Sequence, residues 1–165
     1  MKSLVILLAL LTPAAGARAA EWLPIERQVA EAVNVPKATV VHFWAPWCPN
    51  CAFEMSKLGW ASFIDRNPKV NFIFITIWNG GDGDGRATLA KHGIGGQKNF
   101  QLLLHPNGSR REEDKMKSFL GLPVHWLPAT WIYRDGKQRY GLNYGEVRFP
   151  VLQQLVDDAV ESWDR

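Results

Sequence analysis

Sulfur is scarce in this chain of 165 residues, which has two cysteines and three methionines. Cys48 and Cys51 therefore have no thiol partner except each other. Long apolar runs are also missing. After Leu4–Leu11 no stretch approaches the roughly 20 residues a membrane helix needs, so the rest of the chain reads as soluble. Clustered positive charge on one face, the footprint of a nucleic-acid binder, is absent as well. The chain has no internal repeat, no low-complexity tract and no linker long enough to separate two domains.

The first residues read as a targeting segment. Lys2 supplies a positive charge, Leu4–Leu11 a short apolar core, Pro13 and Gly16 a break, and Ala17-Arg18-Ala19 a small-x-small cleavage site. That pattern is a secretory signal peptide over residues 1–19, and the apolar core is too short for a retained membrane anchor. Cleavage after Ala19 leaves 146 residues, enough for one domain over 20–165 with its own core. It also removes two basic residues and no acidic one, taking the formal charge from +3 to +1. Export, with the periplasm as the expected destination, places the cysteines where disulfides persist.

Pattern along the chain alternates strand and helix. Ile25, Val29, Ala32 and Val33 share one side of a helix that Pro36 ends. Lys37–Trp44 and Val70–Trp78 are rich in β-branched and aromatic residues and read as buried strands. The segment between them predicts a helix from about Cys48 towards Trp60, with Pro49 tolerated in its first turn. Strand, helix, strand in this order implies parallel pairing. Asn79–Gly85 is a loop, Ala87–His92 a helix, Phe100–Leu104 a strand and Pro106-Asn107-Gly108 a turn. Glu112–Phe119 is expected to be helical. Thr130–Tyr133 and Gln138–Leu142 form a hairpin around Asp135-Gly136. Val151–Val160 closes the domain with Leu152, Leu155, Val156 and Ala159 inward. The fold class is α/β, a mixed sheet with helices on both faces.

The chemistry lies in Trp47-Cys48-Pro49-Asn50-Cys51, placed directly after the first strand. A Cys-x-x-Cys pair there suits a dithiol that switches to a disulfide. A purely structural staple would gain little. Closing a loop of about four residues contributes about 2 kcal/mol, against about 4.7 for one of 100. Unpaired N–H groups at a helix start favour an anion, so Cys48 is the nucleophile and Cys51, one turn further in, the resolving thiol.

Val40-Val41-His42-Phe43-Trp44-Ala45-Pro46-Trp47-Cys48-Pro49-Asn50-Cys51 resembles the active-site strand and turn of the thioredoxin superfamily. It is nearest to the exported TlpA/ResA-like thiol–disulfide oxidoreductases, which carry a Glu three residues after the second cysteine. Glu54 stands at that place, whereas Ser56 departs from the proline that usually follows. His125–Lys137 resembles the family segment whose proline is cis and faces the dithiol. The resemblance thus implies that Pro128 is that cis-proline and that Leu127 offers backbone to a client peptide. Phe100–Gly108 also resembles the strand and turn inserted in that group. Trp47, with Pro49 and Asn50, is expected on the docking surface, and Trp44 mainly in the core.

His42 departs from the family, which has Asp or Asn six residues before the first cysteine, beneath the dithiol. Two readings stand, a proton acceptor for the resolving thiol or a core histidine bonded to backbone. Glu54 is open in the same way, as a buried acid near the dithiol or a helix-start carboxylate.

Asp82-Gly83-Asp84-Gly85 has the alternating acids of a calcium loop but lacks the terminal bidentate acid, and reads as a loop beside the site. His92, His105 and His125 show no ligand spacing. Arg110–Lys115 mixes charge signs and reads as a solvated helix start. The resemblance implies a reductant that exchanges Cys48–Cys51 with protein cysteines, of the kind serving cytochrome c maturation or copper-site assembly. Such a protein has no bound cofactor and needs a membrane or periplasmic redox partner to reset it. A disulfide-donating oxidant is the alternative direction. A Cu(I)-holding dithiol is the alternative class, although no Met or third Cys lies nearby.

Overall fold

The computed structural model describes residues 21–55, 59–142 and 148–161. The expected signal peptide and Ser56 lie outside the described residues. A five-stranded sheet forms the centre. Helix α1 (Pro24–Val33) precedes β1 (Thr39–Trp44), and α2 (Pro49–Glu54) and α3 (Trp60–Arg66) cross over to β2 (Asn71–Thr76). Helix α4 (Arg86–Lys91) leads to β3 (Phe100–Leu104). The hairpin β4 (Ser118–Phe119) and β5 (Leu122–Pro123) follows, then β6 (Ala129–Arg134), β7 (Lys137–Leu142) and α5 (Phe149–Val160). Strand β1 is parallel to β2, and β2 to β3, whereas β6 runs antiparallel to β1 and β7 to β6.

Strand β1 is buried along its whole length because both faces of the sheet are covered. Alternation along the strands sorts the core into two layers. Val40, Trp44, Phe72, Phe74 and Ile132 pack with Trp60, Phe63, Leu152 and Val156. Val41, Phe43, Ile73, Ile75 and Trp131 pack with Ile25, Val29 and Val33 of α1 and with Phe119. The mixed sheet with helices on both faces is the architecture expected from the sequence.

Two local expectations fail. The helix expected from Cys48 towards Trp60 is two pieces, with α2 ending at Glu54 and α3 starting at Trp60. Six residues of a continuous α-helix turn by about 240° beyond one full circle, so Glu54 and Trp60 would face different ways. The break lets both point inward, where the Trp60 Nε1–H donates to Glu54 Oε2 at 3.2 Å.

The helix expected over Glu112–Phe119 does not form either. Ion pairs from Arg111 to Glu113 and Asp114, and from Lys115 to Glu112, hold a turn. The chain then makes the β4–β5 hairpin. Leu120 (φ 50°) and Gly121 (φ 74°) form its two-residue turn, both with positive φ as a twist-matched hairpin requires. Phe119 is fully buried, with its ring 5.3 Å from that of Phe43 at 71°, and that burial outweighs a charged helix start. Glu26 fastens the hairpin to α1. One carboxylate oxygen accepts the Leu23 N–H at 2.9 Å and the other the Leu120 N–H at 2.7 Å.

Candidate active site

Strand β1 delivers the chain to the top of the sheet, and Cys48 caps α2. Pro49 occupies the first helical turn, where a missing N–H costs nothing. The Cys51 N–H donates to Cys48 Sγ at 3.2 Å, so an otherwise orphan helix donor points at the sulfur. Cys48 and Cys51 are disulfide-bonded, with Cα atoms 5.2 Å apart. Cys51 is fully buried and Cys48 almost so, at 4% exposed. Pro49, Asn50 and Trp47 surround them at the surface.

Behind α2 lies a buried polar group. Glu54 is 2% exposed, one helical turn after Cys51, and His42 of β1 is fully buried. His42 Nε2 stands 3.6 Å from Glu54 Oε2, and His42 Nδ1 is 2.9 Å from Thr130 Oγ1 on the antiparallel neighbour β6. The imidazole is wedged between Trp60 and Phe74, with centroids at 4.5 and 4.7 Å. Burial lowers its pKa from 6.5 to about 3, so the ring is neutral at neutral pH. The neutral ring carries one proton, and the Thr130 hydroxyl can donate to Nδ1 or accept from it according to the tautomer, while Nε2 faces the Glu54 carboxyl. Of the two readings of His42, a base titrating near neutrality is the one this burial opposes. The core-histidine reading needs amending too, because the Nδ1 partner is a side chain rather than backbone.

Trp47 and Leu127 line a cavity of about 360 Å³ that opens beside Cys48. The Leu127–Pro128 peptide is cis, and Pro128 is buried at the start of β6. Trp44 is buried in the core as expected, and Gly85 (φ 77°) passes so close that a Cβ there would lie 2.5 Å from the Trp44 ring and 2.9 Å from Pro46. The Asn79–Gly85 loop therefore does sit beside the site.

Sequence reasoning missed half of the cavity wall. Trp78, Arg110, Lys115, His125 and Trp126 also line it. The mixed charges around Arg110 and Lys115 read as a solvated helix start, yet Arg110 lies 4.9 Å over the Trp47 ring and Lys115 Nζ 4.6 Å over the Trp78 ring. The neighbouring aromatics Trp47 and Trp78 were the available signal. Thr130 and Trp60, which hold His42 and Glu54, were visible only through strand register and the helix break. His105 bonds within its own turn, to the Asn107 N–H at 3.1 Å, and His92 ends α4. Among the described residues no group of three or more His, Cys, Asp or Glu side chains is placed to hold a metal ion.

An α/β sheet that presents a Cys-x-x-Cys disulfide at the start of a helix defines a thiol–disulfide oxidoreductase. Residues 25–160 match the model of the thioredoxin-like domain family, and the chain belongs to that family. Its fold is shared by a secreted disulfide oxidoreductase of Mycobacterium tuberculosis homologous to E. coli DsbE. That protein is 25% identical, with a TM-score of 0.53 over 77% of this chain and 85% of that one. A DsbF homologue from Corynebacterium diphtheriae matches at 16% identity and a TM-score of 0.56, over 77% of this chain and 74% of its own. A thioredoxin-like protein of Neisseria meningitidis matches at 20% identity and a TM-score of 0.56, over 81% of each chain. No curated protein matches the sequence.

Proposed function

We propose that this protein is an exported, periplasmic oxidoreductase that reduces disulfides in protein clients. The observation that carries this reading is the Cys48–Cys51 pair at the start of α2, with the buried His42 and Glu54 side chains behind it. The signal-like residues 1–19 and the secreted mycobacterial neighbour support export.

In the reduced protein the Cys48 thiolate attacks one sulfur of a client disulfide. A mixed disulfide forms and the other client sulfur leaves as a thiolate. Cys51 then gives up its proton and attacks Cys48 Sγ, and the second client thiolate departs. Two electrons pass to the client and the protein is left as the Cys48–Cys51 disulfide. Glu54 takes the Cys51 proton, with the Trp60 indole N–H donating to its carboxyl and the neutral His42 ring beside it. Leu127 and Pro128 border the docking face with Trp47, Pro49 and Asn50. A thiol donor outside the protein must return the pair to the dithiol, and no bound cofactor is required.

Equilibration of the Cys48–Cys51 couple against a glutathione buffer tests the direction. A potential near or below about −250 mV fits a reductant. One near about −120 mV would make the protein a disulfide donor and overturn the assigned direction.

A further inference from the structure

The cavity beside Cys48 carries charge of one sign. Among the described residues that line it, Arg110, Lys115 and His125 are basic types and none is Asp or Glu. The carboxylates that pair with the two cations lie outside it. Arg110 reaches Asp82 Oδ2 at 2.7 Å and Lys115 reaches Glu112 Oε2 at 2.6 Å. Both acids face water, with their side chains 63% and 74% exposed, whereas Lys115 is only 16% exposed. Screening weakens such solvated pairs, and a carboxylate entering from the cavity side meets the same cations against apolar walls.

Arg110 is also built into place. Its guanidinium donates to the backbone carbonyls of Trp78 at 3.2 Å and Asn79 at 2.8 Å, and stacks on Trp47, next to the nucleophile. Trp126, 58% exposed, adds apolar surface to the lining of the same cavity.

We propose that this groove selects client protein segments with an acidic side chain beside the target cysteine. The client carboxylate faces Arg110 and Lys115, and an adjoining apolar side chain lies against Trp47 and Trp126. This inference rests on the reading of Cys48–Cys51 as a dithiol that acts on protein disulfides.

The test uses the reduced protein and three disulfide-bonded peptides of equal length that carry Glu, Gln or Lys beside the cysteine. Neutral bis(2-hydroxyethyl) disulfide serves as a fourth substrate. The expected order of second-order rate constants is Glu, Gln, Lys, with at least about a fivefold span between the extremes at low ionic strength that shrinks as salt is added. Any general effect of the cations on Cys48 acts on all three peptides alike and cancels in the ratio. Arg110→Gln should narrow the span. Because Arg110 also ties two loops together, Lys115→Glu, which removes no backbone hydrogen bond, is the deciding variant and should invert the order. Equal rates for the three peptides, or an order unchanged in both variants, would overturn the proposal while leaving the oxidoreductase reading intact. Failure to react even with the neutral disulfide would overturn both.

Discussion

His42 Nε2 and Glu54 Oε2 lie 3.6 Å apart with both side chains fully buried. One comes from the central strand and the other from the helix that carries the cysteines, so the pair joins the sheet to the redox turn. The imidazole is kept neutral by burial, and that has a consequence for stability. Its folded pKa, about 3, lies below the unfolded value of 6.5. Between those values the unfolded chain binds a proton that the folded chain excludes. Stability from this residue is therefore fully present above about pH 7 and lost as the pH falls towards 3. The slope in that window is about 1.4 kcal/mol per pH unit. Urea unfolding at pH 7.5, 6.0 and 5.0 should show this loss, and His42→Asn should flatten it. Equal slopes in the two proteins would mean that His42 is not held neutral.

Glu54 lies one turn beyond Cys51 and accepts the Trp60 indole N–H. Glu54→Gln keeps the shape and removes the proton acceptor. The expected result is a first step, attack by Cys48, that is little changed, and a resolving step slowed on the order of a hundredfold. Rapid acid quench followed by electrophoresis would show the mixed disulfide accumulating. His42→Ala, which removes the ring beside the carboxyl, should shift the pH profile of the resolving step. A resolving step with unaltered rate and pH profile in both variants would demote the pair to packing.

The two sulfurs differ in burial, with Cys48 at the edge of a cavity and Cys51 beneath it. Cys48→Ser should abolish exchange, whereas Cys51→Ser should trap a covalent complex with the client that dithiothreitol releases. Normal turnover by Cys51→Ser would reverse the assigned roles.

The sheet and the redox turn were legible because their signals are local. Continuous runs of β-branched and aromatic residues mark the buried strands β1 and β2, and the cysteine spacing fixes its own geometry at the start of α2. What escaped was long-range. Thr130 meets His42 only through the pairing of β1 with β6, and no local pattern announces that register. Arg110 and Lys115 sit in a stretch whose composition describes a solvated helix, and only the indoles of Trp47 and Trp78 give those charges a place. The β4–β5 turn is Leu120-Gly121, and a leucine at positive φ is not a turn signal.

That hairpin yields the last prediction. Phe119 is fully buried and meets Phe43 and His105 edge-on, at 5.3 and 6.2 Å between ring centroids. Ser118, its neighbour on β4, points to solvent. If the hairpin covers the sheet as a true layer, Phe119→Ala leaves a cavity in the second core layer and costs about 3–5 kcal/mol. Ser118→Ala should stay within about 0.5 kcal/mol of the parent. A solvated charged helix in this stretch would make both changes mild, so comparable denaturation midpoints for the two variants would refute the hairpin and its packing together.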